Sequence, residues 1–194
     1  YAEAVTMKDG VSVYGRYQQV AITDGGSWPR CAQRTTRISA QNAKGVLFDS
    51  TVTSPTVLDG FDVRAANMST NAALTVEGST GAVINDNNLF GSGGNVSVGI
   101  DVLASNTLAA TPRITRNTIV GGTGANQAIA VRSRGSAPVI QLNCSVFDPS
   151  GRCSSGACNP SVVGDFIRGR VAGNNGLESY GVWLDSSPGA IVQE

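Results

Sequence analysis

No histidine occurs anywhere in the 194 residues. That absence excludes a Ser/His/Asp triad and every zinc site built on imidazole. Charge is scarce too: 14% of residues are ionic, and 14 basic side chains balance 14 acidic ones. A neutral chain lacks the basic face that nucleic acids require, so no nucleic-acid partner is expected. Aromatic residues make up only 6%. No apolar run reaches the roughly eighteen residues of a membrane helix, and no membrane insertion by this segment is expected. Neither a phosphate loop of the GxxxxGK[ST] kind nor a signal peptide at Tyr1-Ala2-Glu3 is present.

Apolar residues and turn formers are plentiful. Hydrophobic residues reach 41%, with 24 glycines, which argues against disorder. Three apolar rows recur along the chain. The first reads Leu58, Ile84, Ile114, Ile140, Phe166, Ile191. The second reads Val63, Leu89, Ile119, Ser145, Val171. The third reads Leu74, Ile100, Ile129 and, after a gap, Val182. Most steps are 25 or 26 residues, and all three rows stretch together between Ile84 and Ile129. Such a joint stretch is the mark of one loop insertion in one coil.

Segments such as Ile100-Asp101-Val102 and Val182-Trp183-Leu184 alternate as strands with one buried face. Gly, Asn, Ser and Pro clusters separate them and turn the chain. Helical periodicity is absent. The expected fold is all-β: a right-handed, single-stranded parallel β-helix, or solenoid. It has about seven coils of roughly 26 residues, each with three short strands. The whole chain, 1–194, forms one domain, interrupted by an irregular insertion at 24–36 and a cysteine-containing loop at 144–160.

Asn87, Asn117 and Asn143 share one phase, each two residues before the second row. Coils stack about 4.8 Å apart. Amides in register at that spacing hydrogen-bond up the stack and satisfy turn backbone. A structural ladder is therefore expected, with Phe61 and Gly169 in the flanking places.

The segments Met7–Tyr17, Val57–Val63 and Ile114–Gly122 resemble the repeats of secreted and surface-exposed bacterial parallel β-helix proteins. Such proteins are similar in scaffold to pectate lyases and to the repeats of polymorphic outer-membrane proteins. The resemblance implies the fold and an extracellular or cell-surface location. It implies no single activity, because members of this scaffold class differ in function.

The four cysteines suit an oxidising compartment better than a metal site. Cys153 and Cys158 lie close together, Cys144 precedes them, and Cys31 is remote. The expected pairing is Cys153 with Cys158, or Cys144 with one of these. No metal and no cofactor are expected.

Polysaccharide chemistry on such a scaffold needs two or three carboxylates close together. Outward positions on the third row read Thr75, Asp101, Ala130 and Trp183, and one step on Glu77, Leu103, Arg132 and Asp185. Glu77 and Asp101 come nearest to a pair, one coil apart and offset by two residues. Catalytic residues therefore remain unassigned. Trp183, Arg132, Arg168, Arg170 and Asp101 are the candidates for contact with a glycan or partner. Arg134 and Arg168 form a candidate basic patch. The favoured expectation is a structural or adhesive module whose partners are other copies or the rest of a longer chain. A polysaccharide lyase, hydrolase or glycan-binding β-helix is the alternative.

Overall fold

The computed structural model describes residues 3–16, 36–106, 108–123, 126–141, 166–168 and 178–193. Every regular element in them is a strand. The first coil comprises β1 (Val5–Thr6), β2 (Val13–Tyr14) and β3 (Thr36–Ser39). The second comprises β4 (Lys44–Phe48), β5 (Thr56–Asp59) and β6 (Phe61–Arg64). Then follow β7 (Thr70–Glu77), β8 (Ala82–Asn85) and β9 (Asn88–Phe90). The fourth coil holds β10 (Val96–Leu103), β11 (Arg113–Thr115) and β12 (Thr118–Val120). The fifth holds β13 (Gln127–Arg134), β14 (Val139–Gln141) and β15 (Phe166–Arg168). Two strands of a sixth, β16 (Glu178–Asp185) and β17 (Ile191–Gln193), complete the set.

Like strands pair with like in parallel, giving three sheets, six, six and five strands deep. This is a parallel β-solenoid. It is shallower than the seven coils expected, with about four turns between Thr36 and Gln141.

Each sheet contributes an aliphatic column to one interior. The first sheet aligns Val46, Leu74, Ile100, Val131 and Val182. The second aligns Val13, Leu58, Ile84, Ile114, Ile140 and Val192. The third aligns Ile38, Val63, Leu89 and Ile119. From Val46 to Val131, Leu58 to Ile140 and Val63 to Ile119 these side chains are fully buried. Each is worth about 1.5–3 kcal/mol relative to exposure.

Three positions in the expected rows need correction. Val131, not Ile129, continues the Leu74–Ile100 column. Phe166 belongs to the third sheet, opposite Thr118, rather than to the second. Ile191 pairs with Val139, so Val192 follows Ile140. In the third sheet Ile167 pairs with Ile119, and Ser145 and Val171 lie outside the described residues.

The physical reason is where the insertions sit. The second sheet steps 26 residues from Val57 to Val83 and then 30 to Arg113. The first sheet steps 26 from Thr70 to Val96 but 31 to Gln127. Four extra residues thus enter between β10 and β11, and one more between β12 and β13. Between β14 and β15 lie residues 142–165, which contain Cys144, Cys153, Cys158 and Asn143 and lie outside the described residues. Cys31 and residues 24–35 of the expected insertion lie outside them as well, and Thr36 already opens β3.

The long strands of the first sheet turn a corner. In β10, Val98 belongs to an outer apolar cluster with Ala72 and Ile129, whereas Ile100 faces the core. Strict alternation would put both on one face. The residue between them is small in every coil: Gly45, Ala73, Gly99, Ala130, Gly181. A Cβ on Gly99 would stand 2.6 Å from the Ala130 carbonyl oxygen. Small side chains let successive corners stack backbone on backbone.

The turn between second and third sheets is held by amides. Gly60, Asp86 and Arg116 adopt positive φ at the same place in successive coils. Asn87 and Asn117, each 1% exposed, follow the last two. Asn87 donates its Nδ2 to the carbonyls of Leu58 and Asn85, and Asn117 to those of Ile84 and Thr115. The Asn117 Oδ1 accepts from the Asn87 backbone N–H (2.9 Å), and the Asn87 Oδ1 from that of Phe61 (3.0 Å). The expected ladder is present at these two rungs.

Another tie joins the first two coils. The Asp9 carboxylate accepts the N–H groups of Thr53 (2.8 Å) and Ser54 (2.6 Å). These bonds, Ser54 foremost, hold its pKa below 3.8. A carboxylate with a depressed folded pKa stabilises the fold above its unfolded pKa. That contribution fades as pH falls through the folded value. The stability difference between wild type and Asp9→Asn should therefore be constant above about pH 5 and shrink below 3.8. Urea denaturation at a series of pH values measures it; a difference that grows in acid would contradict the assignment.

Candidate functional site

The outer face of the first sheet carries the chemistry-bearing side chains that the corner positions. Before the corner, two columns of adjacent coils read Thr70, Val96, Gln127, Glu178 and Ala72, Val98, Ile129, Tyr180. After it come Thr75, Asp101, Arg132, Trp183, and then Glu77, Leu103, Arg134, Asp185. Asp101, Arg132 and Trp183 are thus direct neighbours across strands. The sequence reading had placed Ala130 opposite Asp101 and Arg132 opposite Leu103. Both arise from the same two-residue slip, which followed the choice of Ile129.

Asp101 and Arg132 form a two-pronged ion pair. Arg132 Nε donates to Asp101 Oδ1 (2.8 Å) and Nη2 to Oδ2 (2.6 Å). Both residues are only 7% exposed. Arg134, near the rim, adds a bond to Asp101 Oδ2 at 3.3 Å. Planar guanidinium and carboxylate match in this geometry. The donors of Arg132 that would greet an outside anion are already turned onto Asp101.

Three further carboxylates are similarly engaged. Glu77 pairs with Lys44 at 2.7 Å, and its strand neighbour is Leu103 rather than Asp101. Asp62, buried on the third sheet, receives Arg64 Nε at 3.0 Å and lies 3.6 Å from Arg37. Asp59 accepts the Asn85 Nδ2 at 2.8 Å. Among the described residues no three His, Cys, Asp or Glu side chains gather into a metal-binding group.

Arg168 lies in the third sheet beside Val120, whereas Arg134 lies in the first. The expected Arg134–Arg168 patch is therefore split between two faces. Arg170 lies outside the described residues.

Trp183 does not stand alone. It stacks on Tyr180 with ring centroids 5.7 Å apart and 24° between planes. Both rings are half-buried against the Ala72–Val98–Ile129 cluster. Tyr180 touches Glu178, two residues earlier on the same face; burial first, then the nearby carboxylate, raises its pKa above 10.0. Glu178 also accepts the Gln127 Nε2 at 2.7 Å. Beside these groups lies an open depression of about 470 Å³, lined by Val96, Asn126, Gln127 and Glu178.

Sequence reasoning found Trp183, Arg132 and Asp101 but missed Tyr180, Glu178 and Gln127. The small-residue column at the corner was the available signal: aligning Gly99 with Ala130 and Gly181 sets Val96, Gln127 and Glu178 in line. Compared with known protein families, with curated proteins and with solved structures, the chain matches none.

Proposed function

We propose that this chain is a structural, adhesive module of an extracellular or cell-surface β-helix that stacks end to end or forms part of a longer surface fibre. The observation that carries the reading is the state of the interior columns where they surface. Leu184 continues the Phe48–Val76–Val102–Ser133 column and Val192 the Leu58–Ile140 column. They are 43% and 42% exposed, and Val13 at the other end is 37% exposed. Among the described residues β16 and β17 pair on one side alone, and a strand edge with an apolar column behind it is a template for further strands. The extracellular setting rests on the resemblance of the repeats to secreted β-helix proteins.

Polysaccharide cleavage ranks below this reading. Its need for two or three converging carboxylates meets Asp101 and Glu77 already bound to basic side chains.

Electron microscopy with mass measurement at rising concentration tests the assembly. Elongated particles that lengthen with concentration are expected, and Leu184→Asp with Val192→Asp should return them to single copies. A chain that stays monomeric at hundreds of micromolar removes end-to-end stacking from the reading.

A further inference from the structure

We propose that the depression beside Glu178 is a binding subsite for a neutral saccharide, one or two sugar units of a longer glycan. Sugars present two chemistries at once: vicinal hydroxyls around the ring edge and an apolar C–H face. Small-ligand sites answer with an apolar wall and a few converging polar groups. Both are here. Glu178, Gln127 and Asn126 offer a carboxylate and two amides on neighbouring coils, and Val96 forms the apolar floor. The Tyr180–Trp183 pair stands at its side.

The volume of about 470 Å³ lies within the range for small-ligand clefts. Gln127 holds the Glu178 carboxylate through the bond at 2.7 Å, so a sugar meets an oriented acceptor rather than a free rotor. That preorganisation lowers the ordering cost of binding.

Neutrality follows from charge. Among the described residues Glu178 is the only ionic group lining the depression. The nearest arginines on this face, Arg132 and Arg134, are bonded to Asp101. An acidic sugar would meet an uncompensated carboxylate there. The candidate residues for glycan contact thus shift from the arginines to Glu178, Gln127, Asn126 and the aromatic pair. This inference does not rest on end-to-end assembly, since the depression belongs to a single copy.

The test is a ligand-observed NMR titration of the intact chain with neutral hexasaccharides of glucose, mannose and galactose, and with hexagalacturonate. At least one neutral hexasaccharide should bind in the micromolar to millimolar range, and hexagalacturonate should bind more weakly. Glu178→Ala and Gln127→Ala change exposed or rim side chains and should leave the melting temperature unchanged. Glu178→Ala should weaken the neutral ligand roughly tenfold or more, as loss of a hydrogen bond to a charged group does. Trp183→Phe should weaken it while circular dichroism reports an intact fold. Three results overturn the proposal: no binding by any neutral hexasaccharide, tighter binding of hexagalacturonate, or binding indifferent to Glu178→Ala.

Discussion

Replacing Arg132 with alanine should destabilise the fold by about 3–5 kcal/mol, because it strands a buried carboxylate. Asp101 would keep one bond, from the half-exposed Arg134 at 3.3 Å. That remnant is too weak to offset the loss of two bonds at 2.8 and 2.6 Å. Arg134→Ala, by contrast, removes a solvent-screened partner and should cost about 1 kcal/mol or less. The instructive variant is the double one. Asp101→Leu with Arg132→Met replaces both charges by apolar groups of similar size, and the desolvation cost disappears with them. Its stability should return to within about 1–2 kcal/mol of wild type. Urea denaturation of wild type, Asp101→Leu, Arg132→Met and the double variant gives the coupling energy. A single Arg132→Ala costing under about 1 kcal/mol would mean that Asp101 reaches water more freely than its 7% exposure indicates.

Asn117→Ala should rank beside it, at about 3–4 kcal/mol, from several buried groups losing partners at about 1–3 kcal/mol each. The lost amide served the carbonyls of Ile84 and Thr115, and its oxygen served the backbone and side chain of Asn87. The turn it closes includes Arg116 at φ +57°, a conformation costing about 1–2 kcal/mol for a non-glycine residue. Asn117→Asp separates the two roles. Aspartate still accepts from Asn87, but it sets a negative charge against two carbonyl oxygens in the interior. It should be at least as damaging as alanine. If Asp were tolerated, the donor half of the ladder would be dispensable. Asn87→Ala should cost a similar amount, and the double variant should cost less than the sum, because each amide loses a partner with the other. Against a typical domain stability of about 5–15 kcal/mol, either substitution removes a large share.

Much of this is legible in the sequence. Period, parallel pairing and the Asn87–Asn117 rungs follow from sequence because a solenoid repeats its environment every coil. The phase within a coil was harder to read. Residues 127–131, Gln-Ala-Ile-Ala-Val, offer two β-branched residues two apart, and either suits a buried column. Hydrophobicity alone therefore could not choose between Ile129 and Val131. Both are buried, one outside the corner and one inside it. Only the steric demand of the corner, which needs a small residue, decides between them. Phe166 was misassigned for a related reason. A fixed period counts residues, whereas the fold counts strands, and the residues between Gln141 and Phe166 intervene.

The candidate site escaped for a different reason. Its members come from β10, β13, β16 and the turn before β13, and no motif links them in sequence. A two-residue error in phase moves Arg132 away from Asp101 and hides the ion pair entirely. Once that pair is seen, the reading of the surface changes. Arg132, expected as a glycan contact, becomes an internal tie, and the polar face nearer the strand starts comes into view.

Strand pairing has a further consequence for how the molecule comes apart. Among the described residues, every strand pairs only with its counterparts in the coils immediately above and below. Cooperativity is then a nearest-neighbour property, as in a one-dimensional chain of coupled units. A middle coil is held by two interfaces and an outer coil by one. Local opening must begin at the edges and work inward, so the slowest-exchanging amides belong to the middle coils, where the Asn87–Asn117 rungs lie.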